Sequence, residues 1–244
     1  KGVLRDVLRA QPNVSVSDLL ALFGPEIGQN ASEYAGALVV GDAQLLCLPI
    51  RSWHGTFAWA TCPMILHRYK RDLQSELTVP VPTNGTALHC ANTQLKDNEK
   101  IYLEDLDLNA KCCKDTNGWA DVVAAAIFKD MEWCDLFKER FVILPDNVFD
   151  FLAETATEIR ARIRIQENTR TVQSGALWYE ENLPAETLLW GCVATDNSKK
   201  PNCTKTKQQM LKLLPTAERL QIGGNATVGA GQVNWIRKIT EEEK

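Results

Sequence analysis

The stretch LQIGGNATVGAGQVNW, residues 220–235, decides which kind of fold the glycines of this chain serve. A Walker loop ends in Gly-Lys-Ser/Thr and a dinucleotide-binding loop is followed by a helix, and neither condition is met here. After Gly231, the residues Val233 and Trp235 alternate with polar residues, which is the period of a strand. We therefore predict a loop between two strands, whose glycines either approach a phosphate or simply pack a tight hairpin.

Composition places the chain among globular proteins. It has 244 residues, of which 45% are hydrophobic, and it contains no run of 18 apolar residues that would indicate a membrane span. The first residues, KGVLRDVLRA, form an amphipathic segment without the hydrophobic region of a signal peptide. We expect a soluble, cytoplasmic protein with no membrane partner. The net charge of −4 argues against binding nucleic acid through the overall field, so such binding would depend on a local basic surface.

The order of predicted elements indicates an α+β fold, because helices and strands follow one another without regular alternation. Pro63 opens a predicted helix in TCPMILHRYKRDL, and three more helices are predicted at residues 119–128, 130–137 and 146–153. We expect a single domain over residues 1–244. Within it we expect an irregular insertion at about 78–118, interrupted by the strand KIYLEDLDL, and a basic surface loop at about 195–207.

The segment TEIRARIRIQENTRTV, residues 157–172, has the alternation of an amphipathic strand. One face is expected in the core and carries Ile159, Ala161, Ile163 and Ile165. The other face carries Arg160, Arg162 and Arg164. Like charges repel one another on a sheet face, so either an anion lies across the arginines or acids such as Glu154 and Glu158 pair with them.

Candidate catalytic carboxylates stand in two places. Glu104, Asp105 and Asp107 in YLEDLDL are interpreted as solvated residues beside core positions. Tyr179 and Glu180 follow the arginine segment closely in sequence and are the better candidates, although we favour packing or ion pairing for them over catalysis.

Eight cysteines raise the question of metal binding. Four of them stand in apolar stretches and are expected in the core: Cys47, Cys62, Cys134 and Cys192. A second group could form a zinc cluster, namely His89, Cys90, Cys112 and Cys113. It lacks the C-x₂-C spacing with which two thiolates hold one ion, so zinc is not favoured. Neither this group nor the lysine-rich loop near Lys199 matches a functional motif.

Four separated blocks resemble one known family. They are LVVGDAQLLCLPIRSWHGTFAWATCP, KIYLEDLDL, TATEIRARIRIQENTRTVQSGALWYEENLP and LQIGGNATVGAGQ. Together they resemble the fourth Cmr subunit of type III-B CRISPR effector complexes, a family of the RAMP superfamily that serves antiviral defence. The resemblance implies an RRM-like or ferredoxin-like palm with a protruding thumb at about 155–182. It also implies several partners: a guide RNA, a target single-stranded RNA, other Cmr subunits and further copies of the chain in a helical filament.

The resemblance further implies that target RNA is cleaved at regular intervals with a divalent metal such as Mg²⁺. In the family, the cleavage aspartate lies upstream of a Ser-Leu-Lys-Gly helix start. The sequence begins at Lys1-Gly2, which matches the second half of that motif, so the amino-terminal part and the aspartate are expected upstream of Lys1. A purely structural RNA-binding subunit without nuclease activity remains the alternative. A free-standing RNA-processing endonuclease would require a catalytic histidine, whereas His54 and His67 are expected in core-like helical surroundings.

The resemblance also assigns RNA-binding positions one at a time. Lys1 matches a lysine that contacts guide phosphates at the helix start, and Arg5 follows one turn later. Arg51 and Ser52 match a pair expected near guide RNA. The thumb residues expected to wedge between nucleotides are Asn168, Thr169, Arg170, Thr171 and Val172. The matches to the glycine-rich loop, expected at an RNA backbone or in support of its surface, are Gly223, Gly224, Asn225 and Thr227.

Overall fold

The computed structural model describes residues 1–26 and 34–238, which belong to two compact units. A terminal unit joins Lys1–Ala43 to Gly191–Lys244, and a central unit spans Gln44–Trp190. The helices are α1 (Gly2–Arg9), α2 (Val16–Phe23), α3 (Pro63–Leu73), α4 (Lys114–Ile127), α5 (Met131–Arg140), α6 (Asp146–Thr155) and α7 (Lys207–Leu211). The first strands are β1 (Leu38–Val40), β2 (Gln44–Arg51), β3 (Phe57–Thr61), β4 (Thr86–His89), β5 (Lys96–Asp97), β6 (Lys100–Leu103) and β7 (Leu106–Cys112). The remaining strands are β8 (Phe141–Ile143), β9 (Glu158–Ile165), β10 (Val172–Asn182), β11 (Leu188–Trp190), β12 (Val193–Thr195), β13 (Ala217–Gln221) and β14 (Gln232–Ile236).

The central unit is built on an eight-stranded mixed sheet in the order β11-β2-β3-β8-β4-β7-β6-β5. The pairs β3–β8 and β4–β7 are parallel, and the other neighbours are antiparallel. Helices α3 to α6 each bury at least one side chain in the same core as Trp59, namely Leu66, Trp119, Phe137 and Leu152. The α+β class and the predicted helices are confirmed.

Residues 78–118, predicted as an irregular insertion, contribute strands β4 to β7 to this sheet. The segment KIYLEDLDL was predicted as one strand but forms β6 and β7 with a tight turn between them. Leu103 pairs with Leu106 across that turn, and Glu104 adopts a left-handed backbone with φ of 48°. Apolar and polar residues keep alternating through the turn, so the period alone does not separate one strand from a hairpin.

Strands β9 and β10 form a separate two-stranded antiparallel sheet, the thumb hairpin. The predicted alternation along β9 is confirmed, but the predicted core beneath its isoleucines is wrong. Ile159, Ile163 and Ile165 are 70%, 49% and 57% exposed, and Leu177 opposite Ile163 is 54% exposed. A two-stranded sheet has two faces, and burial of either requires a further layer. No such layer covers this hairpin among the described residues.

The terminal unit has its own core, which brings together Leu8 of α1, Leu22 of α2, Leu38 of β1, and Met210 and Leu214. Strands β13 and β14 pair directly across residues 222–231, so the predicted loop between two strands is confirmed. Cys192, expected in the core, is exposed because it lies in the turn before β12, where its carbonyl accepts a 2.9 Å hydrogen bond from Gly41 N–H.

The predicted basic loop at 195–207 contacts α2 through two of its lysines. Lys205 Nζ pairs with Asp18, and Lys200 Nζ donates a 3.1 Å hydrogen bond to Ser17 Oγ. Partial burial alone would raise the pKa of Asp18, but the hydrogen bonds from Lys205 and Ser15 lower it below its usual range. Across the described ranges of the chain, no helix is both long and apolar enough to cross a bilayer.

Candidate nucleic-acid interface

The arginine face of the thumb hairpin contains ion pairs. Arg162 lies opposite Trp178, and its Nε donates to Glu180 Oε2 at 3.0 Å. Trp178 Nε1 donates to the other Glu180 oxygen at 3.1 Å. Arg160 pairs with Glu158 two residues earlier on the same strand. Two of the three arginines on this face are therefore paired with neighbouring carboxylates.

Arg164 differs from these two arginines. It is exposed, and it has no ion pair within the part of the chain that the structure describes. Exposed ion pairs contribute little and are screened by salt, so a phosphate could compete for Arg160 as well. The positive charge most available to an anion is therefore at the tip end of the arginine face.

The tip of the hairpin is a closed turn of polar side chains. Gln166 N–H donates to Thr171 O at 2.9 Å, and Arg170, whose φ is 53°, donates its N–H back to Gln166 O at 2.9 Å. The Thr169 hydroxyl donates to Gln166 Oε1 at 3.0 Å and lies 2.7 Å from the Thr171 hydroxyl. The expected thumb residues 168–172 are all exposed, so the turn displays them on a defined backbone.

Tyr179 and Glu180 lie on opposite faces of β10. Tyr179 is opposite Ala161 and is 68% exposed, whereas Glu180 is opposite Arg160 and pairs with Arg162. The structure therefore does not bring the two catalytic candidates together. No set of three or more His, Cys, Asp or Glu residues within the described chain is arranged to hold a metal ion.

Arg51 and Ser52 lie where the central sheet curves back on itself. Ser52 forms a β-bridge with Leu103 of β6, although β2 and β6 are separated by several strands in the sheet order. Arg51 donates through Nε and Nη2 to Glu104, at 2.9 Å and 2.5 Å to Oε2, and these hydrogen bonds raise its pKa. The Ser52 hydroxyl donates to Tyr102 O at 3.1 Å. Glu104, interpreted from the sequence as a solvated acid, is thus the partner that orients Arg51.

In the terminal unit, the two basic residues of α1 bind their own chain. Lys1 Nζ donates to Leu38 O at 2.6 Å, and Arg5 Nη2 donates to Gly24 O at 2.6 Å. The Arg5 guanidinium also lies 5.3 Å from the centroid of the Phe23 ring. A phosphate at this helix start would have to replace or share these hydrogen bonds.

The glycine-rich loop combines open and crowded positions. Gly223 and Asn225 have φ of 91° and 60°, and a Cβ at Gly223 or Gly224 would meet nothing within 4 Å. At Gly231, where φ is 74°, a Cβ would stand 2.2 Å from Ile222 O. Tight packing therefore explains Gly231, whereas the open surface at Gly223 and Gly224 leaves room for another backbone. Thr227 is exposed in the short 3-10 turn of the loop.

The remaining sequence candidates lie apart from these surfaces. His89 and Cys90 are buried, Cys113 is half-buried and Cys112 is exposed, and the cysteines are free thiols. His89 Nδ1 lies 2.8 Å from Cys90 O. The expectation that His54 and His67 occupy core-like helical positions is wrong for two other reasons: His54 lies in the loop after β2, and His67 is on the exposed side of α3.

Comparison with known proteins decides the family. Residues 1–234 match the RAMP superfamily. The chain belongs to this superfamily. It is 37% identical over 251 aligned positions to the CRISPR system Cmr endoribonuclease Cmr4 of Pyrococcus furiosus, an alignment that covers 100% of the chain and 81% of that protein.

Solved structures agree with this membership. The oligomeric Cmr4 crystal structure from Pyrococcus furiosus superimposes with a TM-score of 0.68 at 30% identity, covering 95% of the chain and 80% of that protein. A chain of the type III-B Cmr-beta complex bound to cognate target RNA gives a TM-score of 0.68 at 17% identity, with 95% and 79% covered, and shows a shared fold. The RAMP membership and the resemblance to the fourth Cmr subunit are confirmed.

Sequence reasoning missed the partners that hold the interface arginines. Glu104 binds Arg51, and Trp178 fixes the Glu180 carboxylate that binds Arg162. Adjacent positions on antiparallel strands carry a signal for Trp178, since β10 follows β9 after a short polar turn. Nothing in the sequence signals Glu104, because its contact depends on the curvature of the sheet.

Proposed function

We propose that the chain is a backbone subunit of a type III-B CRISPR effector complex, which binds guide RNA and positions a complementary target RNA. The observation that carries this proposal is the 37% identity to Cmr4 over the whole chain. Further copies of the chain and other Cmr subunits are its proposed protein partners. The central sheet would correspond to an RRM-like palm, and the hairpin of β9 and β10 to the thumb.

The thumb hairpin supports RNA binding through its exposure and its charges. Both of its faces are largely exposed, and one of them presents Arg160, Arg162 and Arg164. The polar turn at 166–171 gives the tip a defined shape without an apolar plug. Such a hairpin can lie along a single strand with its arginines on phosphates, which positions RNA without reading its sequence.

We extend the proposal to metal-dependent cleavage of the target at regular intervals, on the similarity to an endoribonuclease alone. The described residues do not fit a catalytic metal, because no cluster of ligands is present among them and Glu180 is occupied by Arg162 and Trp178. We therefore assign no metal ligand and no cleavage step to them. A purely structural RNA-binding role remains the second candidate.

Reconstitution with a guide RNA tests both candidates. We expect the protein, mixed with guide, labelled complementary RNA and Mg²⁺, to retain both RNAs in one complex on a native gel. Regularly spaced products would support cleavage, and retention without products would favour the structural role. A protein that retains neither RNA, while its melting curve shows that it is folded, would refute the proposed function.

A further inference from the structure

Trp53 lies in the loop between β2 and β3 and is 82% exposed, more than any other large apolar side chain in the described ranges. A tryptophan ring has a large apolar surface, and leaving it in water forgoes the free energy of burial. Such a ring in a folded protein therefore calls for an explanation.

The other tryptophans all have partners within the protein. Five of them donate their Nε1–H to an acceptor: Trp59 to Glu186 O, Trp119 to Thr78 O, Trp178 to Glu180, Trp190 to Asp72 and Trp235 to Pro215 O. Trp133 is stacked on Phe128 with ring centroids 5.8 Å apart. Within the described residues, the Trp53 ring has neither a hydrogen bond nor a ring contact. It is the one tryptophan that the described fold does not use.

The backbone that carries Trp53 is nevertheless held firmly. Trp53 N–H donates to Tyr102 O at 3.2 Å, and Ser52 N–H donates to Thr56 O at 3.1 Å. Arg140 Nε donates to Gly55 O at 3.0 Å, where Gly55 has a φ of 74°. The ring is thus displayed from a loop tied to two other parts of the central unit. A displayed ring on a fixed backbone loses little conformational entropy on binding a flat partner.

Its surroundings favour a single flat partner over a protein surface. Protein interfaces bury contiguous apolar patches, whereas Trp53 is flanked in the loop by Ser52, His54 and Gly55. Arg51 follows the same loop edge with a side chain that is 86% exposed, and Glu104 engages only its Nε and Nη2. An exposed indole beside a guanidinium with a remaining donor is the combination that binds a base and its phosphate in single strands.

We propose that Trp53 is a stacking platform for an unpaired nucleobase of single-stranded RNA, with Arg51 on the adjacent phosphate. This inference rests on the proposed RNA-binding function and adds a residue that holds a base rather than the backbone. Stacking on an indole tolerates any base, because every base has an aromatic face. The platform would therefore fix the position of the strand and leave its sequence free.

Two probes with the same backbone separate base stacking from phosphate binding. One is a short oligoadenylate, and the other is its abasic counterpart, which keeps the ribose phosphates and lacks the bases. Affinities of both are measured by fluorescence anisotropy for the wild type, Trp53→Ala, Trp53→Phe and the matched control Trp133→Ala. Thermal melting shows that each variant is folded.

We expect Trp53→Ala to weaken oligoadenylate binding about 5- to 150-fold and to leave the abasic probe unchanged. Trp53→Phe should keep most of the affinity, Trp133→Ala should change neither probe, and Arg51→Ala should weaken both. Equal affinities of Trp53→Ala and the wild type, or equal losses on both probes, would overturn the stacking role while leaving the proposed function intact. Unchanged affinities with a shift in oligomeric state by sedimentation would assign the ring to a protein contact instead. A wild type that binds neither probe would overturn the proposed function and this inference with it.

Discussion

Strands β2 and β9 are similar in sequence pattern and opposite in surroundings. Strand β2, QLLCLPIR, buries Leu46, Cys47, Leu48 and Ile50 almost completely between its neighbours and the helices of the central unit. Strand β9, EIRARIRI, has as many isoleucines as it needs for a core face, yet they are about half or more exposed. A comparable alternation thus produces a core in one strand and an open surface in the other. The difference is whether another layer covers the apolar face, which is not a property of the strand itself.

The largest expected difference between covered and uncovered regions is in thiol reactivity. Burial raises the pKa of Cys62 and of Cys90 to about 12 from an ordinary value of 9.0. Because the thiolate is the reactive form, we expect these thiols to react about a thousandfold more slowly than a thiol of ordinary pKa near neutral pH. Alkylation followed by peptide mass spectrometry would measure this, with exposed Cys112 and Cys192 as controls. Rapid labelling of Cys62 or Cys90 in the folded protein would contradict the closed core.

Truncation of Ile50 should have the next largest effect. Ile50 is fully buried, so Ile50→Ala removes packed atoms and leaves a cavity that costs about 2–5 kcal/mol of stability. Urea unfolding with the m-value held as a check would measure the change. A cost below about 1 kcal/mol would show that the region around β2 closes over the cavity, and would weaken the contrast with β9.

Arg164 tests the uncovered strand by function. Each arginine that neutralises a phosphate of a single strand contributes about 0.7 to the slope of log affinity against log salt, and Arg164 has no carboxylate partner among the described residues. We expect Arg164→Ala to flatten the slope by about 0.7 for RNAs of unrelated sequence. Exposed Arg68 on α3 provides the matched control, and Arg68→Ala should leave the slope unchanged. An unchanged slope in Arg164→Ala would move the RNA path away from this face.

The smallest expected effect is that of Ile163→Ala. The sequence alone predicts a core isoleucine whose loss costs several kcal/mol, but Ile163 is 49% exposed on the hairpin. Surface substitutions of this kind change stability by no more than about 0.5 kcal/mol. The same urea titration that is used for Ile50→Ala would measure it. A loss as large as that of Ile50→Ala would mean that the isoleucine face is covered in the folded protein.

Local chemistry made several features of the chain predictable. Pro63 at the first position of α3 marks the helix start because its missing N–H has no intrahelical partner to lose. The alternation in residues 157–165 predicts β9 and the arginine face, and the absence of a helix after Gly231 predicts a loop between β13 and β14. These features depend on neighbours within a few residues, and the sequence contains those neighbours in order.

Tertiary structure alone decided the features that depend on distant parts of the chain. The sequence determined that β9 has an apolar face and a basic face, but only the fold decided that nothing among the described residues covers the apolar one. The strand pairs β4–β7 and β3–β8, the contact of Arg51 with Glu104 and the unpartnered ring of Trp53 follow from how the central sheet is ordered and curved. Burial and pairing are set by which segments meet in space, and the periodicity of one segment contains no information about its partner.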